Sequence, residues 1–436
     1  MTWKRDINAI IELHREGSKA YDKHNGRILY QYATGSGKSK QAIDNILKDK
    51  EWWVILCWEV AHINNWKEEF KKWKAEHLIE GDTMRVHIIC YAAMRQYFST
   101  VDSTYKINMV CDEAHHAFSE TYFPYVERHA KKLQMLTATM PQDQLQRMRF
   151  HPTLKDMGHQ ILTLNQAIKR NILPTPGIFL VSVTFDSMSR NKLLHIHKGA
   201  RVKWEKMSQI QVSYPNYRKY MKQTPLNMMV YCTEAELMEY HNNQVEYFKQ
   251  QYFTSKDKFR ETQMKLAGAN RKRFIAEVKT EKAREFIEKF VGDSRAIIFC
   301  GSVDQAESLG GDNVMSSRMT TKQNREKLAE FQDGKINRLY TNRMLREGMN
   351  LSGIEKAVII QLDNKNLAFV QMAGRALRSD FPELFIFHAP LTQDDKYLQN
   401  SLKGINREFV KSIEQYGKEE EQEAPALVQD VLLGLD

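Results

Sequence analysis

The chain has 436 residues, of which 42% are hydrophobic and 27% charged. That length exceeds one compact fold and calls for two or three domains, each with its own core, while the composition excludes a globally disordered chain. A formal charge of +10 fits a polyanionic partner and speaks to association rather than to fold.

Short apolar runs alternate with helical spacing from the N-terminus onward. Arg27 to Tyr32, Trp52 to Cys57, Arg85 to Cys90, Ile107 to Cys111 and Leu133 to Leu136 read as buried strands with helices between them, the grammar of a parallel α/β sheet. Leu162 to Ile168 reads as a capped short helix leading into Pro174-Thr175-Pro176, which suits a linker. The grammar returns at Ala296 to Cys300, Arg338 to Tyr340, Ala357 to Leu362 and Leu384 to His388. The expected organisation is therefore one α/β domain over 1–165, a linker over 166–177, a second over 178–400, and a helical or polar tail over 401–436. From about 186 to 270 the composition changes to basic and aromatic, with helical spacing over Glu234 to Tyr252, and this segment is expected to be a largely helical insertion in the second domain.

The five cysteines, Cys57, Cys90, Cys111, Cys232 and Cys300, form no zinc or redox spacing. Four of them close apolar runs, where a thiol behaves as a small hydrophobe in a reducing compartment. With no signal-peptide core and no run of membrane-spanning length, a cytoplasmic protein without a membrane partner is expected.

Two motifs carry chemistry by themselves. Ala33-Thr34-Gly35-Ser36-Gly37-Lys38-Ser39 lies between a predicted strand and a predicted helix. There, glycines permit a tight loop whose amides wrap phosphates, Lys38 brings positive charge, and Ser39 can ligate magnesium. Tyr32 stands where the full pattern has its first glycine. The second motif, Met109 to His115, is an apolar strand ending in Asp112-Glu113. At the carboxyl edge of a parallel sheet, Asp112 would hold hydrated magnesium while Glu113 orients and deprotonates the attacking water.

Asp112-Glu113-Ala114-His115 resembles the DEAH box of superfamily 2 helicases, and Ala33 to Ser39 resembles their motif I. Thr137-Ala138-Thr139 resembles motif III, Ile297 to Ser302 motif IV, Thr341 to Gly353 motif V, and Gln371 to Arg378 motif VI. The motifs occur in family order and imply two tandem RecA-like domains using ATP and Mg2+. The resemblance further implies that Gly348 and Asn350 reach the nucleotide, and that His115, Thr137 and Thr139 couple the ATP site to the nucleic-acid groove. It gives Gln371 a role in positioning water or the γ-phosphate, and Arg375 and Arg378, three apart on one helix face, the role of arginine fingers. Tyr91, Ser302 and Thr341 become candidate contacts to the nucleic-acid backbone.

Two departures from the family pattern stand out. Trp58-Glu59 replaces the usual proline-threonine pair of motif Ia, and Asp6 falls near the glutamine that commonly reads adenine, so nucleotide selectivity is expected to be loose. The P-loop start, the linker and the Glu347 to Leu351 form of motif V look most like the branch holding restriction-enzyme motor subunits and phage helicases. Two further basic sets lie in or beside the insertion. One is Arg201, Lys203, Lys206, Arg218, Lys219 and Lys222 with Trp204, Tyr214, Tyr217 and Tyr220; the other is Arg271-Lys272-Arg273. Such mixtures can grip phosphates and stack unpaired bases. The expectation is a DNA helicase or translocase; an RNA helicase and an ATP-switched binding protein with little turnover are the alternatives.

Overall fold

A computed structural model describes residues 3–101, 104–197, 203–206, 227–342, 353–362, 379, 382–403 and 405–416. The first sheet has six strands in the order β3-β2-β4-β5-β1-β6. These are β1 (Arg27–Tyr32), β2 (Trp53–Cys57), β3 (Val86–Cys90), β4 (Ile107–Asp112), β5 (Ala130–Thr137) and β6 (Gly158–Leu162). All their pairings are parallel. β2 is buried at every position, as a strand covered on both faces must be.

Three helices frame the N-terminal part of this sheet: α1 (Ile7–Lys23), α2 (Lys38–Lys48) and α3 (Val60–Lys72). Asp6 caps α1 by accepting from the Ala9 amide at 3.1 Å, so its carboxylate serves the helix start. A buried polar network locks α1, α2 and the sheet together. Asn45 donates to the Tyr30 hydroxyl at 2.9 Å and to Gln134 Oε1 at 2.8 Å, and Tyr30 donates to the Gly17 carbonyl at 3.0 Å. Gly17 packs closely there: a Cβ would lie 2.6 Å from Gln41 Oε1, so the Gln41 amide would have to shift.

Thr163 closes a capping box at the start of the short helix Leu164–Lys169, and the chain then enters β7 (Gly177–Ser182). The antiparallel sheet β10-β8-β9 follows, built from β8 (Lys192–His197), β9 (Lys203–Lys206) and β10 (Asn227–Cys232). The second large sheet has seven strands in the order β12-β13-β11-β14-β15-β7-β16. Its other strands are β11 (Ala296–Phe299), β12 (Val314–Met315), β13 (Arg338–Thr341), β14 (Lys356–Ile359), β15 (Glu383–His388) and β16 (Val410–Ser412). The architecture is thus two parallel-sheet α/β domains of the tandem RecA-like kind.

The chain divides into two compact units. One comprises Met1–Val181, Val291–Ile386 and Gln393–Asp436 and holds the greater part of both parallel sheets. The other comprises Ser182–Phe290 and Phe387–Thr392. This second unit holds the segment read as a largely helical insertion. It pairs the antiparallel sheet with the helices Glu234–Ser255 and Lys258–Phe286, and the latter runs through residue 270 without a break. Its core holds Lys192, 1% exposed, within 3.5 Å of Glu234 and 3.3 Å of Glu277. Trp204 donates to Glu277 at 2.6 Å and meets His241 and Phe274 edge-on. Within the expected tail, Val410–Ser412 pairs with Ile178–Leu180 as a sheet strand.

Candidate functional site: the P-loop cavity

β1 ends at Tyr32 and α2 begins at Lys38, leaving five residues to turn the chain. Gly35 and Gly37 take φ of +86° and +97°, a region that only glycine enters at no cost. Tyr32 is the last strand residue, fully buried and in register with Leu162. The missing first glycine therefore costs nothing, because no left-handed turn is needed at position 32. Ser36 Oγ donates to the Ala33 carbonyl at 2.7 Å, and Lys38 Nζ donates to the Tyr32 carbonyl at 2.9 Å. The loop also lies against α1: a Cβ on Gly37 would meet His14 Nε2 at 2.8 Å. Burial lowers the His14 pKa, with the Asp44 carboxylate 3.8 Å away acting in the opposite sense.

The acidic pair straddles the end of β4, with Asp112 its last residue, two strands away from β1. Asp112 Oδ1 accepts from the Glu113 amide at 3.0 Å, and Oδ2 accepts from the Trp66 indole at 2.9 Å. Tyr91 donates to the Asp112 carbonyl at 3.0 Å. Glu113 has φ +46°, a left-handed conformation costing about 1–2 kcal/mol for a non-glycine residue. Such strain is often held at functional positions. His115 Nδ1 lies 3.7 Å from Glu113 Oε2, and Gln144 donates to the His115 carbonyl at 3.0 Å. Thr137 Oγ1 donates to the Thr139 carbonyl at 2.6 Å, closing a tight turn after β5.

One cavity of about 820 Å3 gathers these elements. Thr34, Gly35, Ser36, Gly37, Lys38 and Ser39 line it with Asp112 and Glu113, so loop and acids address a common space. His115, Thr137 and Thr139 are not among its lining residues. Arg5, Ile7, Ile10, Ile11 and His14 contribute from the N-terminal side, and His62, Asn65, Trp66, Glu69, Lys72 and Trp73 from α3 and its end.

Gly348, Asn350, Gln371, Arg375 and Arg378 lie outside the described residues, as do Arg201, Tyr214, Tyr217, Arg218, Lys219, Tyr220 and Lys222. The three expected backbone contacts sit as follows. Tyr91 is fully buried, its hydroxyl already used beneath Asp112, and burial holds its pKa well above the ordinary phenol value. Thr341 is fully buried at the end of β13. Ser302 accepts from the Gln305 amide at 3.1 Å as a helix cap. In the inserted unit, Arg271 donates to Asn242 Oδ1 at 3.2 Å across the helix pair; Trp204 belongs to that unit's core rather than to a stacking surface. The α3 residues went unread as site residues, although their signal was present: His62, Trp66, Glu69 and Trp73 recur at helical spacing just after a strand.

Two family descriptions match the chain. "Type III restriction enzyme, res subunit" matches residues 4–142, and "Helicase conserved C-terminal domain" matches residues 278–380. Among solved structures, S. cerevisiae Dbp5 bound to RNA and ADP BeF3 is similar with a TM-score of 0.56 at 11% identity, covering 98% of this chain and 93% of that one. The Pyrococcus furiosus Hef helicase domain has a TM-score of 0.47 at 15% identity, covering 92% of this chain and 100% of that one. No curated protein sequence matches significantly. The two family matches, with the tandem RecA-like fold, support a nucleic-acid-dependent ATPase similar to superfamily 2 helicases. The first match falls on the first α/β domain and the second on the second α/β domain. Among the described residues no helix is long and apolar enough to cross a membrane.

Proposed function

We propose that the chain couples ATP hydrolysis to movement on DNA, and to unwinding or remodelling of duplex or branched DNA, as a DEAH-type motor. The observation that carries this reading is the meeting of Lys38, Ser39, Asp112 and Glu113 in one cavity. The residue set suits a magnesium nucleotide. Two left-handed glycines leave room where side chains would collide, Asp112 supplies a hard oxygen donor, and the buried His62 ring lacks a hydrogen-bond partner beside them. Ser39 and Asp112 would hold the metal, whose charge neutralises the phosphates.

The residues divide the work. Amides of Thr34 to Ser39 and the Lys38 ammonium bind phosphate oxygens. Glu113, poised next to Asp112, orients water and takes its proton. His115, Thr137 and Thr139 link this centre to the track, and Gln371, Arg375 and Arg378 complete it from the second domain. Removing either arginine is expected to lower turnover by about a thousandfold or more.

DNA is favoured over RNA because the first domain matches a restriction-enzyme subunit family, and restriction enzymes cut DNA. The likeness to Dbp5, whose structure holds RNA, is one of fold. Binding would be mostly to phosphates and therefore salt-sensitive. ATPase rates with single-stranded DNA, forked DNA and RNA, followed by strand displacement on the activating species, test the assignment. Activation by RNA alone would overturn it.

A further inference from the structure

α3 forms a wall of the cavity that the helicase motifs leave unassigned. His62, Asn65, Trp66, Glu69 and Trp73 lie along one stripe of this helix and its end, and all line the cavity. Trp66 is 2% exposed and donates its indole N–H to Asp112 Oδ2 at 2.9 Å. With Oδ1 on the Glu113 amide at 3.0 Å, both carboxylate oxygens are held and the plane of the group is fixed. One turn earlier lies His62, 1% exposed, with neither ring nitrogen hydrogen-bonded.

A buried polar group left unpaired costs about 1–3 kcal/mol, so an imidazole in this place is destabilising until something in the cavity meets it. A neutral imidazole offers one donor and one acceptor. A phosphate oxygen would take the first and a metal-bound water would supply the second. Glu69 is already engaged, accepting from the Trp73 indole at 2.8 Å, which leaves His62 as the group of this stripe suited to a new ligand.

We propose that α3 is part of the magnesium–nucleotide site, with Trp66 a positioning residue that orients Asp112 and His62 a direct contact to the hydrated metal–phosphate group. This rests on the reading of Asp112 as the metal-holding carboxylate. It also gives a physical reason for Trp58-Glu59 and the α3 sequence to depart from the usual motif Ia, since here the helix serves the nucleotide.

The test is binding of a fluorescent ATP analogue to the full chain, titrated once with Mg2+ and once with EDTA. Trp66→Phe keeps the ring and removes the donor. Loss of this one charge-assisted hydrogen bond is expected to reduce the magnesium-dependent gain in affinity about tenfold, with the EDTA affinity unchanged. His62→Ala should lose a similar part of the magnesium gain and, through its phosphate contact, a smaller part of the EDTA affinity, with the melting temperature kept; His62→Gln, which restores a donor and an acceptor, should recover part of both. A merely structural role would weaken both titrations together and lower the melting temperature. A magnesium gain equal to wild type in Trp66→Phe and His62→Ala overturns the proposal while leaving the P-loop reading intact. No magnesium gain in the wild type, with Lys38→Ala binding as tightly as wild type, overturns the underlying reading as well.

Discussion

The indole of Trp58 lies flat on the imidazole of His116, ring centroids 3.7 Å apart and planes 6° from parallel. Trp58 follows β2, and His116 follows the Asp112-Glu113 turn, so the stack ties the segment that departs from motif Ia to the acidic pair. Trp58→Ala should cost roughly 1 kcal/mol of stability. It should also lower DNA-stimulated ATP turnover several-fold, with the basal rate close to wild type. Paired ATPase assays with and without single-stranded DNA check this; equal losses in both would mean the stack only supports the fold.

Gly37 and His14 make a second close pair. Gly37→Ala places a side chain at φ +97° and 2.8 Å from His14 Nε2, and the backbone term alone costs about 1–2 kcal/mol. Nucleotide affinity should fall at least tenfold. Because the strain is in the backbone, His14→Ala added to Gly37→Ala should not restore binding in a calorimetric titration, and full restoration would show that only the imidazole clash mattered.

The basic triplet in the inserted unit divides. Arg271 is part-buried and bonded to Asn242, whereas Arg273 is exposed and Lys272 half-buried. Replacing Lys272 and Arg273 by alanine should weaken DNA binding, leave basal ATPase unchanged, and flatten the slope of log affinity against log salt by about one unit per lost phosphate contact. Arg271→Ala should instead lower the melting temperature. An unchanged salt slope in the double variant would make the pair a solvated helix face.

His241 gives the inserted unit an acid sensitivity. Burial, with the nearby Arg271 charge adding to it, lowers its pKa from 6.5 to about 4. The unfolded chain then takes up a proton that the folded one refuses, so stability present above pH 6.5 is lost as pH falls toward 4. Between pH 6.5 and 5 the loss is on the order of 2 kcal/mol. Thermal melts across this range should fall more steeply for the wild type than for His241→Phe, and identical slopes would assign the acid sensitivity to other groups.

Much of this molecule is written in its apolar runs. β2 is a continuous hydrophobic stretch, and β1 and β4 are hydrophobic but for Arg27, Gln31, Asn108 and Asp112, as strands buried on both faces of a parallel sheet are; their ends place the P-loop and the acids. β6 reads Gly158-His159-Gln160-Ile161-Leu162 and lies at the sheet edge with alternating exposure, so no apolar run announces it. β12 and β16 are two and three residues long, too short for a period. The inserted unit hides its core in charge, since Lys192 and Glu234 are buried partners that composition reads as surface. The burial of Tyr91 and Thr341 was not legible either, because a hydroxyl residue at a strand end carries no sign of which way it points.

The central claim is most directly tested by ATP hydrolysis of the Glu113→Gln chain beside wild type, each with and without DNA. The wild-type rate should rise with DNA. Glu113→Gln should bind magnesium ATP as wild type does and hydrolyse it about two to four orders of magnitude more slowly. Near-normal turnover in Glu113→Gln, or a wild-type rate indifferent to nucleic acid, would contradict the account.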